Sequence, residues 1–197
     1  MPKNSSWSSF AAWAALAAFS AAGAAFAASP FEDAKAAYER GEDATALRLF
    51  QPLAEQGDAS AQFWLGAMYD LGRGVPKDFG AAARWYRRAA EQGNPMAQHN
   101  LATMYEQGQG VSPEYSLAAA IAWYRRAADQ GYAPSQGNLG VLYAEGRGVK
   151  RDDVQAYKWF TLGRVAVNRS FIAARMLPEQ VVEGDRLVSE FKAKLER

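Results

Sequence analysis

Residues 61–75 read AQFWLGAMYDLGRGV, and the same text returns at 97–111 as AQHNLATMYEQGQGV and at 135–149 as SQGNLGVLYAEGRGV. The offsets are 36 and then 38 residues, and two further signals keep them. Glu55-Gln56-Gly57 returns as Glu91-Gln92-Gly93 and as Asp129-Gln130-Gly131, and an aromatic register runs through Leu49-Phe50, Trp85-Tyr86, Trp123-Tyr124 and Trp159-Phe160. Self-similarity at this period marks one supersecondary unit stacked several times. The two extra residues of the middle unit fall between Val111 and Trp123, where Ser112-Pro113-Glu114 reads as a loop, so they lengthen a connection or a helix start.

Each unit reads as two helices. The first, as in Phe79 to Gln92, follows Asp78 as N-cap and stops before Gly93, with Ala82, Tyr86, Ala89 and Ala90 on one face. The second runs from Asn94 as cap and Pro95 in the first turn to about Glu106, closed by Gly108 and Gly110. Pro52, inside the first unit's first helix, removes a hydrogen bond and predicts a kink. The column Ala46, Ala82, Ala120 and Ala156 lets helices approach closely, and the repeated aromatic, Leu and Tyr positions fill the remaining space. One such hairpin cannot bury its apolar face, so at least three must stack. The predicted fold is therefore all-α: an α/α solenoid over residues 28–177, with three full repeats and a degenerate fourth.

The fourth unit departs from the pattern. At a constant 36-residue offset, Arg164 stands where Ala54, Ala90 and Ala128 stood, and Arg175 where Leu65, Leu101 and Leu139 stood. Pro178 then opens a final amphipathic helix, residues 178–197, in which Val181, Leu187, Val188, Phe191 and Leu195 are expected to cover the open end of the stack while the charges face water.

The first 27 residues read differently. Lys3 is followed by an apolar stretch from Phe10 to Phe26, and Ala25-Phe26-Ala27 places small residues at the two positions that direct cleavage, so a secretory signal cut after Ala27 is expected. Retention of the segment as a membrane anchor is the alternative, and the only membrane contact the sequence suggests. Export in a bacterium gives a periplasmic or secreted protein. Beyond the signal, basic and acidic side chains balance at 21 each, so no global field favours nucleic acid. The absence of cysteine excludes disulfides, thiolate metal sites and a cysteine nucleophile.

Taken together, the Ala61-Gln62 to Tyr69 stretch, the Gly72 to Val75 turn and the Trp85 to Gly93 helix end, each with its echoes, resemble the Sel-one-like repeats (SLR), relatives of the tetratricopeptide repeats. The resemblance covers about residues 31–165, and Met176-Leu177-Pro178-Glu179-Gln180 resembles the C-terminal cap of bacterial members. It implies an α/α superhelix acting as an adaptor or scaffold for other proteins. One branch of that family is cysteine-rich and associated with β-lactam binding or hydrolysis, a feature this cysteine-free chain does not share.

Signals of chemistry are weak. His99 is the only histidine, so a multi-histidine metal site cannot form and a hydrolytic triad has no supporting motif. The G-x-G turns follow helices and lack the phosphate-loop lysine, so they read as turns. Asp43, Asp58, Asp78 and Asp152 read as helix caps. Arg84, Arg87, Arg88, Arg125 and Arg126 interleave with aromatics, but the aromatics read as core and the arginines as a solvated face. Asn168-Arg169-Ser170 is a chance match to a glycosylation sequon. The expectation is a non-enzymatic protein with no cofactor and no metal.

The informative positions are those where repeats differ within a constant frame. With the second helices contributing to a concave face, an arrangement the resemblance allows, the two residues before the repeated leucine point into a groove: Phe63-Trp64, His99-Asn100 and Gly137-Asn138. One turn on come Ala67, Thr103 and Val141, then Asp70, Glu106 and Ala144. The predicted partner-binding set is thus Phe63, Trp64, Asp70, His99, Asn100, Thr103, Glu106 and Asn138, and the predicted partner a protein or peptide. Trp64 stands outside the repeated tryptophan register and is the anchor candidate; its alternative is packing against the N-terminal helix around Ala37 and Tyr38. Two other functions stay open at this stage: action on cell-wall material or a β-lactam, by analogy with the cysteine-rich branch, and self-association through an end or the convex face.

Overall fold

The computed structural model describes residues 29–111 and 117–197; the expected signal segment and the Ser112-Pro113-Glu114 loop lie outside the described residues. Among the described residues there are ten helices and no strand: α1 (Pro30–Glu39), α2 (Asp43–Glu55), α3 (Ala59–Leu71), α4 (Phe79–Glu91), α5 (Pro95–Gln107), α6 (Leu117–Asp129), α7 (Ala133–Glu145), α8 (Asp153–Leu162), α9 (Ala166–Ala173) and α10 (Pro178–Leu195). Capping follows the sequence chemistry: Asp58, Asp78, Asn94 and Asp152 each accept a backbone N–H three residues on, at 2.7–3.0 Å. Asp43 is an exception: it is the first residue of α2, and its carboxylate pairs with Arg73 at 2.5 Å. At the other end, α3, α5 and α7 close on left-handed Gly72, Gly108 and Gly146. Helix α2 continues through Pro52 to Glu55.

From α1 to α9 each helix packs on the next in sequence and α10 returns onto α8, and the most extensive contacts are α3 with α4, α5 with α6 and α7 with α8. These contacts join one hairpin to the following one, so the apolar face of each hairpin is buried largely by its neighbour. At two of the joints a ring lies on bare backbone. A Cβ added to Gly66 would stand 2.8 Å from the Tyr86 ring, and one added to Gly140 would stand 2.5 Å from the Phe160 ring. The alanine column and the inner aromatics Phe50, Tyr86, Tyr124 and Phe160 are fully buried.

A buried polar rung runs beside these joints. Gln62, Gln98 and Gln136 each donate Nε2 to a carbonyl at the end of the preceding helix, Ala54, Ala90 and Ala128, at 3.0 Å. Gln92 and Gln130, the glutamines of the Glu/Asp-Gln-Gly turns, in turn donate to Gln62 and Gln98 at 2.8 Å. Every one of these bonds satisfies a group that burial leaves without water.

Three expectations need correction. First, the fourth unit does not hold a 36-residue offset. Helix α8 has 10 residues where α2, α4 and α6 have 13. After it, Arg164 and Val165 repeat the turn bonds of Gly131 and Tyr132, Arg164 donating to Thr161 and Val165 to Phe160. The offset is therefore 33 from this turn on. Arg164 takes the place of a left-handed glycine, with φ 58°, and Ile172, not Arg175, fills the site of Leu139. Second, the outer tryptophans Trp85 and Trp123 are half-buried, lying under Arg88 and Arg126 at 4.6 and 4.5 Å, so the arginines cover aromatic faces as well as meeting water. Third, α10 covers the end with Val188 and Phe191 and by seating Gly184 on the Tyr157 ring, whereas Leu195 is 50% exposed.

The bare-backbone joint yields a test. Gly140→Ala forces the Phe160 ring away from its seat and is expected to lower unfolding free energy by about 1–3 kcal/mol, measured by urea denaturation. An unchanged midpoint would show that the ring has room to spare.

Candidate partner-docking site

The variable positions of α3, α5 and α7 are ordered around two tyrosine hydroxyls. In the first set, the buried Tyr86 donates to Asp70 at 3.4 Å, and the Asn100 side chain bears on the same hydroxyl. In the second, Tyr124 donates to Glu106 at 2.8 Å, with Asn138 beside it and Thr103 Oγ1 at 3.0 Å. Burial, followed by the nearby Asp70 carboxylate, raises the Tyr86 hydroxyl far above the ordinary phenol range, and burial pushes Tyr124 up to about 12. Both hydroxyls therefore stay protonated donors at neutral pH and hold the carboxylates in place.

The same registers in the outer repeats carry neither part. Phe50 and Phe160 have no hydroxyl; the acid positions hold Ala34 and Ala144; and the amide positions hold the rings of Trp64 and Phe171. Tyrosine, acid and amide are present together or absent together within this one chain. The polar set thus belongs to the two central repeats.

The eight predicted residues are distributed accordingly. Asp70, Asn100 and Thr103 meet in one depression of about 230 Å³, lined as well by Lys77, Phe79, Met104, Gln107 and Gln109. Glu106 and Asn138 belong to the neighbouring Tyr124 set, and Glu106 also receives Arg147 at 3.1 Å. His99 lies between the sets, half-buried, its Nδ1 2.9 Å from Ser135 Oγ and its ring 5.5 Å from Tyr124 and 5.4 Å from Tyr132. Phe63 and Trp64 are not part of that polar depression. Trp64 is half-buried between Tyr38, at 4.8 Å, and Phe50, at 6.0 Å and nearly parallel, which is the packing arrangement weighed against an anchor role; Phe63 leans on Trp64 and Tyr86. Sequence reasoning missed Lys77, Gln107 and Gln109. Gln109, central in its G-x-G turn where the other turns carry arginine, was the available signal.

Among the described residues no group of three or more His, Asp or Glu side chains is arranged to hold a metal ion, and no helix is long and apolar enough to cross a membrane. The site offers fixed hydrogen-bond donors and acceptors.

Burial lowers the His99 pKa below its ordinary 6.5, with Glu106 opposing more weakly. A histidine held neutral in this way contributes stability that is fully present above about pH 6.5 and is lost as pH falls through its depressed folded value. The melting temperature is therefore expected to fall between pH 7 and 5 more steeply in the native chain than in His99→Gln. Parallel pH profiles for the two proteins would refute this.

The Sel1 repeat family model matches residues 34–58, 59–94, 95–132 and 133–163. Among solved structures, a Sel1 repeat protein from Oxalobacter formigenes is 32% identical with a TM-score of 0.64, covering 68% of this chain and 55% of its own. A protective antigen of uropathogenic Escherichia coli displaying an SLR fold is 27% identical with a TM-score of 0.57, covering 84% of this chain and 45% of its own. The chain thus spans about half the length of these structures. No functionally curated protein matches it. Sel1 repeat proteins are generally protein–protein interaction scaffolds, and their fold is typically non-enzymatic. Four consecutive matches over the stacked hairpins, with the same fold in solved relatives, make this chain a member of the Sel1 repeat family.

Proposed function

We propose that this chain is an exported, non-enzymatic adaptor that docks a partner protein or peptide against the face built by α3, α5 and α7. The observation that carries the reading is the polar set of the two central repeats, Asp70 with Asn100 and Glu106 with Asn138, each oriented by a buried tyrosine hydroxyl. Side-chain amides held at successive repeats suit an extended polypeptide, whose backbone presents donors and acceptors at regular spacing. The scaffold role general to the family supports the same reading. No observation on this face favours turnover of a cell-wall component or a β-lactam.

Export rests on the N-terminal sequence, Lys3 followed by the apolar stretch ending in Ala25-Phe26-Ala27. Mass spectrometry of protein recovered from a bacterial host's envelope fraction is expected to find a mature chain starting at Ala28; recovery only of chains retaining Met1 would count against cleavage.

Docking is tested by a photoreactive side chain at Gln107, used in cells, with the same group at Glu179 as the control. Adducts with a defined protein are expected at Gln107 only, and Asn100→Ala and Asn138→Ala should each lower adduct yield roughly three- to tenfold, the scale of one lost hydrogen bond. Equal adducts at both sites, or yields indifferent to both alanines, would remove the docking assignment.

A further inference from the structure

The three G-x-G turns differ at their central residue: Arg73, Gln109 and Arg147. Arg147 reaches back across one repeat to Glu106, pairing Nη2 with Oε1 at 3.1 Å. Arg73 has Ala34 where that acid would stand, and its guanidinium instead pairs with Asp43 at 2.5 Å and donates to the Tyr38 carbonyl at 2.8 Å. Between them, Asp70 occupies the register of Glu106, but the residue in the register of Arg147 is the neutral Gln109. Asp70 receives the Tyr86 hydroxyl, and among the described residues no basic side chain pairs with it. Lys77 lines the same depression, with its ammonium 4.4 Å from the centre of the Phe79 ring.

One central repeat thus contains a completed acid–guanidinium pair, and the other contains the acid and an open space of about 230 Å³. At about 30 Å³ per water, that space is the size of several waters, enough for the head and stem of an arginine side chain. Its rim is suited to a guanidinium. Asp70 supplies the charge, while the side-chain carbonyls of Asn100, Gln107 and Gln109 are acceptors for a group with five N–H donors. A carboxylate oriented by a buried hydroxyl and in ion-pair contact with no basic side chain of the described residues is complementary to a cation brought from outside.

We propose that this depression receives an arginine side chain of the docked partner, whose guanidinium pairs with Asp70 as Arg147 pairs with Glu106 one repeat along. The proposal rests on the docking reading and adds the chemistry of what is docked: a polypeptide with an exposed arginine in an extended segment. Phe79 and Met104 flank the stem of that side chain, and the Lys77 ammonium lies over the Phe79 ring and has no ion pair with Asp70 among the described residues.

The test uses the ¹⁵N-labelled full chain and two blocked pentapeptides, acetyl-Gly-Gly-Arg-Gly-Gly-amide and its citrulline counterpart, which has nearly the same shape and no charge. The arginine peptide is expected to move the side-chain amide signals of Asn100, Gln107 and Gln109 saturably, and the citrulline peptide to bind at least tenfold more weakly. Asp70→Asn should abolish the difference between the peptides. Gln109→Arg should abolish binding of both, because the introduced guanidinium occupies the space itself, and should raise the melting temperature, a readout that a misfolded variant would reverse. Equal titration by both peptides would overturn the guanidinium assignment while leaving polypeptide docking in place. Arginine-dependent shifts that persist in Asp70→Asn would also overturn it, as would no shifts with either peptide. The crosslinking experiment at Gln107 requires no arginine, so it reports separately on docking.

Discussion

The stack depends on rings seated on residues with almost no side chain. Tyr86 on Gly66 and Phe160 on Gly140 bring the axes of successive helices close, and Tyr157 against Gly184 does the same for α8 and α10. Close approach also buries helix-end carbonyls; Gln62, Gln98 and Gln136 satisfy them within each hairpin, and Gln92 and Gln130 carry the rung from one hairpin to the next. Apolar seat and polar rung therefore fix one relative placement of neighbouring hairpins, and the docking face inherits its regularity from that placement.

Much of this architecture is written in the sequence because it is written three times. Asp58, Asp78 and Asn94 announce helix starts by local hydrogen bonds, and Gly72, Gly108 and Gly146 announce helix ends by a backbone conformation that other residues adopt at a cost. The rung was not legible. Ala61-Gln62 reads as an ordinary helix start, and only the folded chain reveals that its amide spans to Ala54 and accepts Gln92. The shortened α8 is not legible for a different reason: a repeat that is fading gives no register against which a three-residue loss can be measured, so a constant offset sets Arg164 against an alanine when it stands in a glycine's place.

Of the candidate site, the columns of variable positions are legible in the sequence as registers, but their division between a polar and an apolar set is not. Trp64 shares its register with Asn100 and Asn138, yet its ring packs on Tyr38 and on Phe50, which has no hydroxyl to orient an amide. A polar facing position accompanies a tyrosine in the preceding helix, a correspondence that passes between helices and that helical periodicity alone does not expose. Gln109 carries the other half of the pattern, since its meaning lies in an arginine that is absent.

The three-residue loss at the end of α8 also bears on how such a chain lengthens. Helix α9 enters one turn early, and α10 returns onto α8 in place of a further hairpin. A unit copied after this point would meet a surface out of phase with its own seats, with Phe171 67% exposed in the amide register and an arginine at the left-handed turn. Matching seats for a further unit lie among the in-phase hairpins upstream of α8, where Gly66 and Gly140 each receive a ring of the next helix.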